Sequence, residues 1–427
     1  MTTGKIHQPF NKKNYILSIT IIGAFFFIFG FVTWLNATLI PYLQISCELT
    51  RFESFWVTFA FYISYFVMAL PSSAVLQRTG FKNGMSVGLI IMALGAMVFI
   101  PAAITRTYGL FLTGLFVQGM GLTILQTASN PYVTILGPIE SAARRISIMG
   151  VANKFAGILS PIILGAIVLV GIDDLVIRIE SMDAAAKAAE LDFLAQKVIL
   201  PYVVMAIVLI ALAALVRYSP LPDVEHERES DTNSSLQDRA SIWQYPYLLL
   251  GVFTIFLYVG VEVIAVDTLI SYGNYLGFEF TEAKFFASFT LGGMIVGYFF
   301  GIVTIPKFIS QANALKYFSV LGVIFTIIAT LTDGYTSILM IAALGFANSI
   351  MWPAIWPLAI DGLGKFIKIG SAMLIMGIAG GAILPLIYGA LADIDQVGPR
   401  EAYWMLVPCY LFILYYAIFG HKVSRWK

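Results

Sequence analysis

Long apolar runs broken by short polar interruptions set the pattern of this chain. A bilayer-crossing helix needs about 20 mainly apolar residues. Windows of that length predict helices 1 to 6 at 15–44, 52–76, 84–104, 109–136, 146–171 and 198–217. Helices 7 to 12 follow at 246–272, 283–305, 313–331, 335–360, 367–392 and 401–420. Between the sets lies SPLPDVEHERESDTNSSLQDRAS (219–241), rich in charge, Ser and Pro and without apolar periodicity. Such a segment cannot bury enough apolar surface to order itself and reads as a solvated linker. The pattern divides the chain into a bundle at 1–217, a linker at 218–242 and a bundle at 243–427. The expected fold class is all-α integral membrane, with two six-helix halves.

A second polar stretch, Asp173 to Lys197, is acidic and Ala-rich (DAAAKAAELDFLAQK). It reads as a solvated loop, with a short surface helix as the alternative. The polar N-terminus gives way near Asn14 to an apolar run longer than a signal peptide's core and without a cleavage signature, so helix 1 is expected to be retained.

The halves echo each other. IMGVA (Ile148–Ala152) recurs as IMGIA (Ile375–Ala379), and PIILGA from Pro161 recurs as PLIYGA from Pro385. The two matches are offset from each other by three residues, close to one helical turn, as in distant internal symmetry. Duplicated halves of a membrane protein point to a transporter.

Composition narrows the function classes. The chain is 59% hydrophobic and 11% charged, against about one quarter charged in soluble domains. Its net charge of +1, without basic runs interleaved with aromatics, gives no reason to expect nucleic acid. Cys47 and Cys409 have no paired spacing and read as free thiols. His7, His226 and His421 all lie outside the predicted spans, so a buried His metal site is not expected. The GLGK at Gly362 to Lys365 is no nucleotide loop, because Ala359 replaces the first Gly and Phe366 the Ser or Thr. No cofactor is expected, and energy must come from gradients.

Orientation follows from bases in short loops. With twelve alternating helices, Lys12, Lys13, Arg78, Lys82, Arg144, Arg145, Lys307, Lys365, Lys368 and Lys422 share one side, while Glu48, Asp173, Asp174, Glu279, Asp333 and Asp393 lie opposite. Both termini and the linker are therefore expected in the cytoplasm.

Polar residues inside apolar spans are costly and mark candidate sites. Gln126 and Asn130 lie on one face of helix 4 with Gly119 and Thr123. Asn348, Trp352 and Trp356 share a face of helix 10, and Asn36 stands in helix 1 before Pro41. Amides offer paired donors and acceptors to hydroxyls, and indole faces stack on the apolar faces of sugar rings. Packing between helices is the alternative use of the same groups. Three charges lie well away from the span ends: Lys154 in helix 5, and Glu262 and Asp267 in helix 7. Five residues apart, the two carboxylates are about 140° apart around a helix, so only one should face a central cavity. Depth favours Glu262, with Asp267 the alternative. Lys154 is expected to pair with a helix 7 carboxylate, either as a working switch or as a structural lock.

FFFIFGFVTWLN leading to LIPYL in helix 1, QTASNPYVTILGP in helix 4 and NSIMWPAIWPLAI in helix 10 together resemble the fucose/glucose/galactose symporter family of the major facilitator superfamily. The resemblance covers nearly the whole chain and is nearest to the bacterial branch for glucose, galactose or N-acetylglucosamine. It implies two pseudo-symmetric six-helix bundles around a central sugar site, alternating access, a monomer, and residence in the bacterial inner membrane. Asn153 matches a helix 5 Asn of the family. Arg78 and Gly80 survive from the gating loop between helices 2 and 3. Two acids that handle the coupling proton in fucose-type members are replaced here by Ala37 and Gln126, and Lys154 replaces a small polar residue.

The expectation is a cation-coupled sugar importer, with Asn36, Gln126, Asn130, Asn153, Asn348, Trp352 and Trp356 on the substrate. Lys154, Glu262 and Asp267 would couple sodium or a proton, with no residue set identified for sodium. Uniport or efflux of a sugar is the alternative, and a polytopic membrane enzyme a remote one.

Overall fold

The computed structural model describes residues 12–135, 142–219, 241–305, 307–363 and 366–424; within these ranges the side chains at 12–18, 77, 130–135, 142–147 and 367–368, those of Asn130, Arg144 and Arg145 among them, lie outside the description. Most of the linker predicted at 218–242 also falls outside it. Among the described residues, twelve helices are long and apolar enough to cross a membrane. Helices 1 to 6 are Ile19–Ser46, Arg51–Leu76, Arg78–Ile104, Tyr108–Ser129, Ile148–Val168 and Ala184–Tyr218. Helices 7 to 12 are Pro246–Asp267, Phe280–Thr304, Gln311–Leu331, Gly334–Ile360, Ile369–Ala392 and Gly398–Lys422.

Outward faces carry large apolar side chains, such as Phe66, Leu70, Leu94, Phe155, Ile207 and Val303, all exposed. Helix hydroxyls turn back on carbonyls four residues earlier, as Thr123 does on Gly119 and Thr326 on Gly322. Each such bond satisfies a polar group where lipid offers no partner.

Small residues set the helix crossings, and the two halves repeat the scheme. A Cβ on Gly119 of helix 4 would lie 2.4 Å from the Phe61 carbonyl of helix 2. In the second half a Cβ on Gly345 of helix 10 would lie 1.9 Å from the Thr290 carbonyl of helix 8. Helices 1 and 5 meet at Gly30 against the Asn153 carbonyl, and helices 7 and 11 at Gly380 against the Phe256 carbonyl. Without a Cβ the backbones come close enough to gain dispersion contacts that lipid would otherwise supply. The halves themselves meet along helix 5 against helix 8 and helix 2 against helix 11.

Several spans are interrupted, three of them beside predicted site residues. Helix 1 breaks at Leu35, between segments Lys12–Trp34 and Asn36–Ser46. Helix 7 breaks at Thr268, beyond which Leu269–Tyr275 continues, and helix 10 breaks between Asn348 and Met351. Each break adjoins a predicted site residue. Gly80 adopts φ 75° and ψ 170°, a backbone open to glycine, and so turns the chain between helices 2 and 3.

One expectation is corrected. Residues 173–197 do not form a loop: Ile172–Ile179 and Ala184–Gln196 are helices. Asp183 caps the second, accepting from the Ala186 N–H at 2.8 Å, and Leu191, Leu194 and Ala195 are buried beneath it. The Tyr42 hydroxyl reaches the carbonyls of Leu194 and Ala195, both at 2.8 Å. Alanine propensity, a cap and one apolar stripe outweighed the charge of the segment.

Candidate functional site

At mid-depth, the Lys154 Nζ of helix 5 lies 2.7 Å from Glu262 Oε1 of helix 7, joining the two halves. Both side chains are about nine-tenths buried, at 9% and 10% exposure. The same ammonium sits 4.4 Å above the Trp34 ring, just before the break in helix 1. Gly157, one turn along from Lys154, makes room for that indole, since a Cβ there would lie 2.4 Å from the ring. A partly desolvated ammonium over an indole gains cation–π attraction in addition to its ion pair.

Aromatic residues adjoin the pair. Tyr258 lies one turn before Glu262 on its face, and its ring centroid is 6.4 Å from that of Trp352. Trp352 stacks on Trp356 at 5.4 Å and 29°, and both are half-buried. The segment starts at Met351 with Pro353 in its first turn, where a missing N–H costs no helical bond, and carries Pro357 inside it.

The amides are held from several directions. Gln126 Nε2 donates to the Tyr65 hydroxyl at 3.0 Å, helix 4 to helix 2. Asn153 Nδ2 donates to the Phe26 carbonyl at 3.3 Å, tying helix 5 to helix 1. The Tyr410 hydroxyl donates to Asn348 Oδ1 at 2.9 Å, leaving Asn348 Nδ2 without a partner. Asn36 is fully buried, and neither of its amide atoms has a partner. Asn130 is on helix 4, its side chain outside the described residues.

Asp267 does not join the pair. It is fully buried, and neither carboxylate oxygen has a partner. Helix 7 runs unbroken through both acids, so they diverge as their spacing requires. Arg78 is exposed at the turn marked by Gly80. Among the described residues no three His, Cys, Asp or Glu side chains converge to hold a metal.

At the end of the bundle away from the termini, the halves are latched in a near-symmetric way. Asp393, after helix 11, accepts from the Phe52 N–H in the first turn of helix 2 at 2.7 Å. Asp173, after helix 5, accepts from the Phe280 N–H that opens helix 8, at 3.2 Å to each oxygen. Carboxylates at helix N-termini meet both free N–H groups and the positive end of the dipole. Arg51 donates to the Ala392 carbonyl at 3.3 Å and lies over the Tyr275 ring at 5.6 Å, while Phe55 meets Tyr388 edge-on at 5.6 Å. The sequence showed the acids of these loops but not their partners, nor Tyr62, Tyr65 and Tyr410. Tyrosine in a span carries no periodic signal that separates a site from packing.

The Major Facilitator Superfamily profile matches residues 22–385. A glucose/galactose transporter of Brucella abortus is 36% identical over 425 residues, covering 99% of this chain and 98% of that one. The L-fucose-proton symporter of Escherichia coli is 28% identical over 429 residues, covering 97% and 95%. The crystal structure of the transporter FucP in the outward conformation superposes with a TM-score of 0.71 at 26% identity, covering 95% of this chain and 99% of that one.

Proposed function

Because the chain belongs to the Major Facilitator Superfamily, we propose that it is a secondary active transporter that imports a hexose-class sugar by cation symport. Glucose, galactose or N-acetylglucosamine is the substrate class, and sodium or a proton the coupling ion. The observation that carries this reading is the buried Lys154–Glu262 pair bridging the two halves beside stacked indoles. A buried pair is expensive to desolvate and adds little stability over apolar packing, so its retention here calls for a working role. Spanning helices 5 and 7, it joins or parts whenever the halves rock.

The names of the Brucella abortus and Escherichia coli relatives support sugar as cargo. Trp352 and Trp356 offer an apolar platform for a pyranose face, while Gln126, Asn130, Asn153, Asn348 and Asn36 offer donors and acceptors for its hydroxyls. Gln126 and Asn348 hold tyrosine hydroxyls in this conformation, so sugar would exchange one hydroxyl partner for another. The two latched bundles, 1–217 and 243–427 joined by the linker 218–242, would rock about this centre, with Arg78 and Gly80 gating the side of the termini. We place that side in the cytoplasm and the latched end outside, in a bacterial inner membrane, with the monomer as the working unit.

Uptake of labelled glucose, galactose and N-acetylglucosamine into proteoliposomes, under sodium and pH gradients imposed separately, tests the reading. Accumulation above equilibrium under one gradient is expected. Equilibration alone under both would leave a carrier without coupling and overturn it.

A further inference from the structure

Two carboxylates and one ammonium lie buried along helices 5 and 7. Glu262 and Lys154 balance each other at 2.7 Å. Asp267 is left over: it has no exposed surface and no hydrogen-bond partner for either oxygen. An isolated carboxylate cannot stay ionised in such a place, since its desolvation costs far more than folding can supply. Its charge must be cancelled from solution.

The surroundings are suited to that. Asp267 shares its helix face with Val263 one turn earlier and Ser271 one turn later. A Cβ on Gly381 of helix 11 would touch both Val263, at 3.0 Å, and the Tyr62 ring of helix 2, at 3.1 Å, which places Tyr62 against this same face. The Tyr62 hydroxyl and Ser271 Oγ are themselves buried without partners, as are both amide atoms of Asn36 on the helix 1 segment packed against helix 7. Unsatisfied buried polar atoms are rare, and those on the segments packed about helix 7 call for an explanation such as a bound group. The titratable and charged groups around it are few. Glu262, on helix 7 itself, is engaged by Lys154 of helix 5; Tyr62 comes from helix 2, and Tyr388 and Arg51 stand further out on helices 11 and 2. Neither Arg51 nor Lys154 is free to neutralise Asp267, because one is committed to the latch and the other to Glu262.

Beyond Ser271 lies a small cavity lined by Gln44, Arg51, Thr268, Ser271, Tyr272 and Tyr388, directly under the latch. Thr268, next to Asp267 in the chain, and Ser271, one turn beyond it, both line this cavity, so release of the latch by Arg51 and Asp393 would open space beside the acid.

We propose that Asp267 is the seat of the coupling cation, taking up a single positive charge, sodium or a proton, from the latched side, with Tyr62 and Ser271 supplying its polar neighbours. Tyr65 carries the link to substrate: its hydroxyl accepts from Gln126, and its ring stacks on Tyr62 at 6.3 Å. Sugar at Gln126 therefore acts on the wall of the cation site. The assignment rests on the symport reading and names the ion site within it.

The test uses full-length protein in proteoliposomes, with Asp267→Asn as the variant, because the amide imitates the neutralised acid and preserves the fold. Exchange of labelled sugar across the membrane without a gradient should persist, while accumulation driven by the gradient that powers the unaltered protein should fall to simple equilibration. The driving gradient, sodium or pH, identifies the cation. In Tyr62→Phe, exchange should persist, and half-maximal accumulation should need several-fold more of that cation. Full accumulation by Asp267→Asn in the face of a coupled unaltered protein would overturn the assignment and leave symport standing. Loss of exchange together with accumulation, in a variant of unchanged melting temperature, would overturn it too, by making Asp267 a substrate or structural group. If the unaltered protein accumulates under neither gradient, the symport reading falls, and this assignment with it.

Discussion

Lys154 and Glu262, 108 positions apart in the chain, form a buried ion pair of 2.7 Å between helices 5 and 7, one partner from each half. Removing one partner strands a charge in low dielectric, which costs about 3–5 kcal/mol. Lys154→Met and Glu262→Gln should each lower the melting temperature in detergent and abolish sugar accumulation in proteoliposomes. The double variant, having no stranded charge, should recover much of the melting temperature and none of the accumulation. Full accumulation by both single variants would make the pair a structural lock.

The indole stack predicts a loss of affinity. Trp352→Ala should weaken sugar binding, seen as a higher concentration for half-maximal exchange, by about 1 kcal/mol or more of lost stacking. Trp352→Phe should lie between the two. Gln126→Ala should show a similar loss, because its amide would no longer meet a sugar hydroxyl. Unchanged exchange in both alanine variants would remove helices 4 and 10 from the substrate site.

The latches predict a shift between conformations. Asp173→Asn and Asp393→Asn each remove a negative charge from a helix N-terminus, where it is worth about 0.3–1 kcal/mol at a wet surface. Combined, they should favour the state open at that end. The check is labelling of a cysteine introduced at Ser271, which should react faster with a membrane-impermeant thiol reagent in the double variant than without it. Equal rates would mean that apolar contacts, such as Phe55 against Tyr388, close this end unaided.

The glycine crossings predict large losses of stability. Gly380→Ala would place a methyl 1.7 Å from the Phe256 carbonyl, and Gly30→Ala would place one 1.8 Å from that of Asn153. Neither backbone can yield without moving a whole helix, so each change should cost about 2 kcal/mol or more, at the high end for single substitutions. Gly292→Ala, where nothing lies within 4 Å, should be silent. Melting temperatures in one detergent compare all three.

A small acid-dependent term comes from the latched end. Lys187 bonds to Glu48 at 2.7 Å and holds the Glu48 carboxyl below its ordinary value of 4.5. A lowered folded value stabilises the protein above the unfolded value, and the benefit is lost as pH falls through the folded one. Lys187→Met should therefore lower the melting temperature slightly at neutral pH, and the difference should vanish in acid below the carboxylate range. Exposure and salt screening keep the effect modest.

The local pattern of apolar runs is enough to fix twelve spans, because each helix must satisfy its own backbone in lipid whatever lies beside it. The same pattern makes Lys154, Glu262, Asp267 and the span amides conspicuous, since polar groups there need a reason. It does not reveal partners. That Lys154 faces Glu262, that Asp267 faces Tyr62 and no cation, and that Asp173 and Asp393 cap helices of the opposite half are outcomes of packing between segments far apart in the chain. The breaks at Leu35, Thr268 and Ser349 were hidden for a related reason: each is a slight interruption whose backbone groups still bond within their own span, so the apolar pattern runs through it unchanged. Residues 173–197 misled in the other direction, since charge suggests solvent, and only contact with Tyr42 and the buried leucines shows why the segment folds as helix. The sequence determines what lies in the membrane and which side chains are out of place there; tertiary structure decides what each of them meets, because that depends on how separate helices cross.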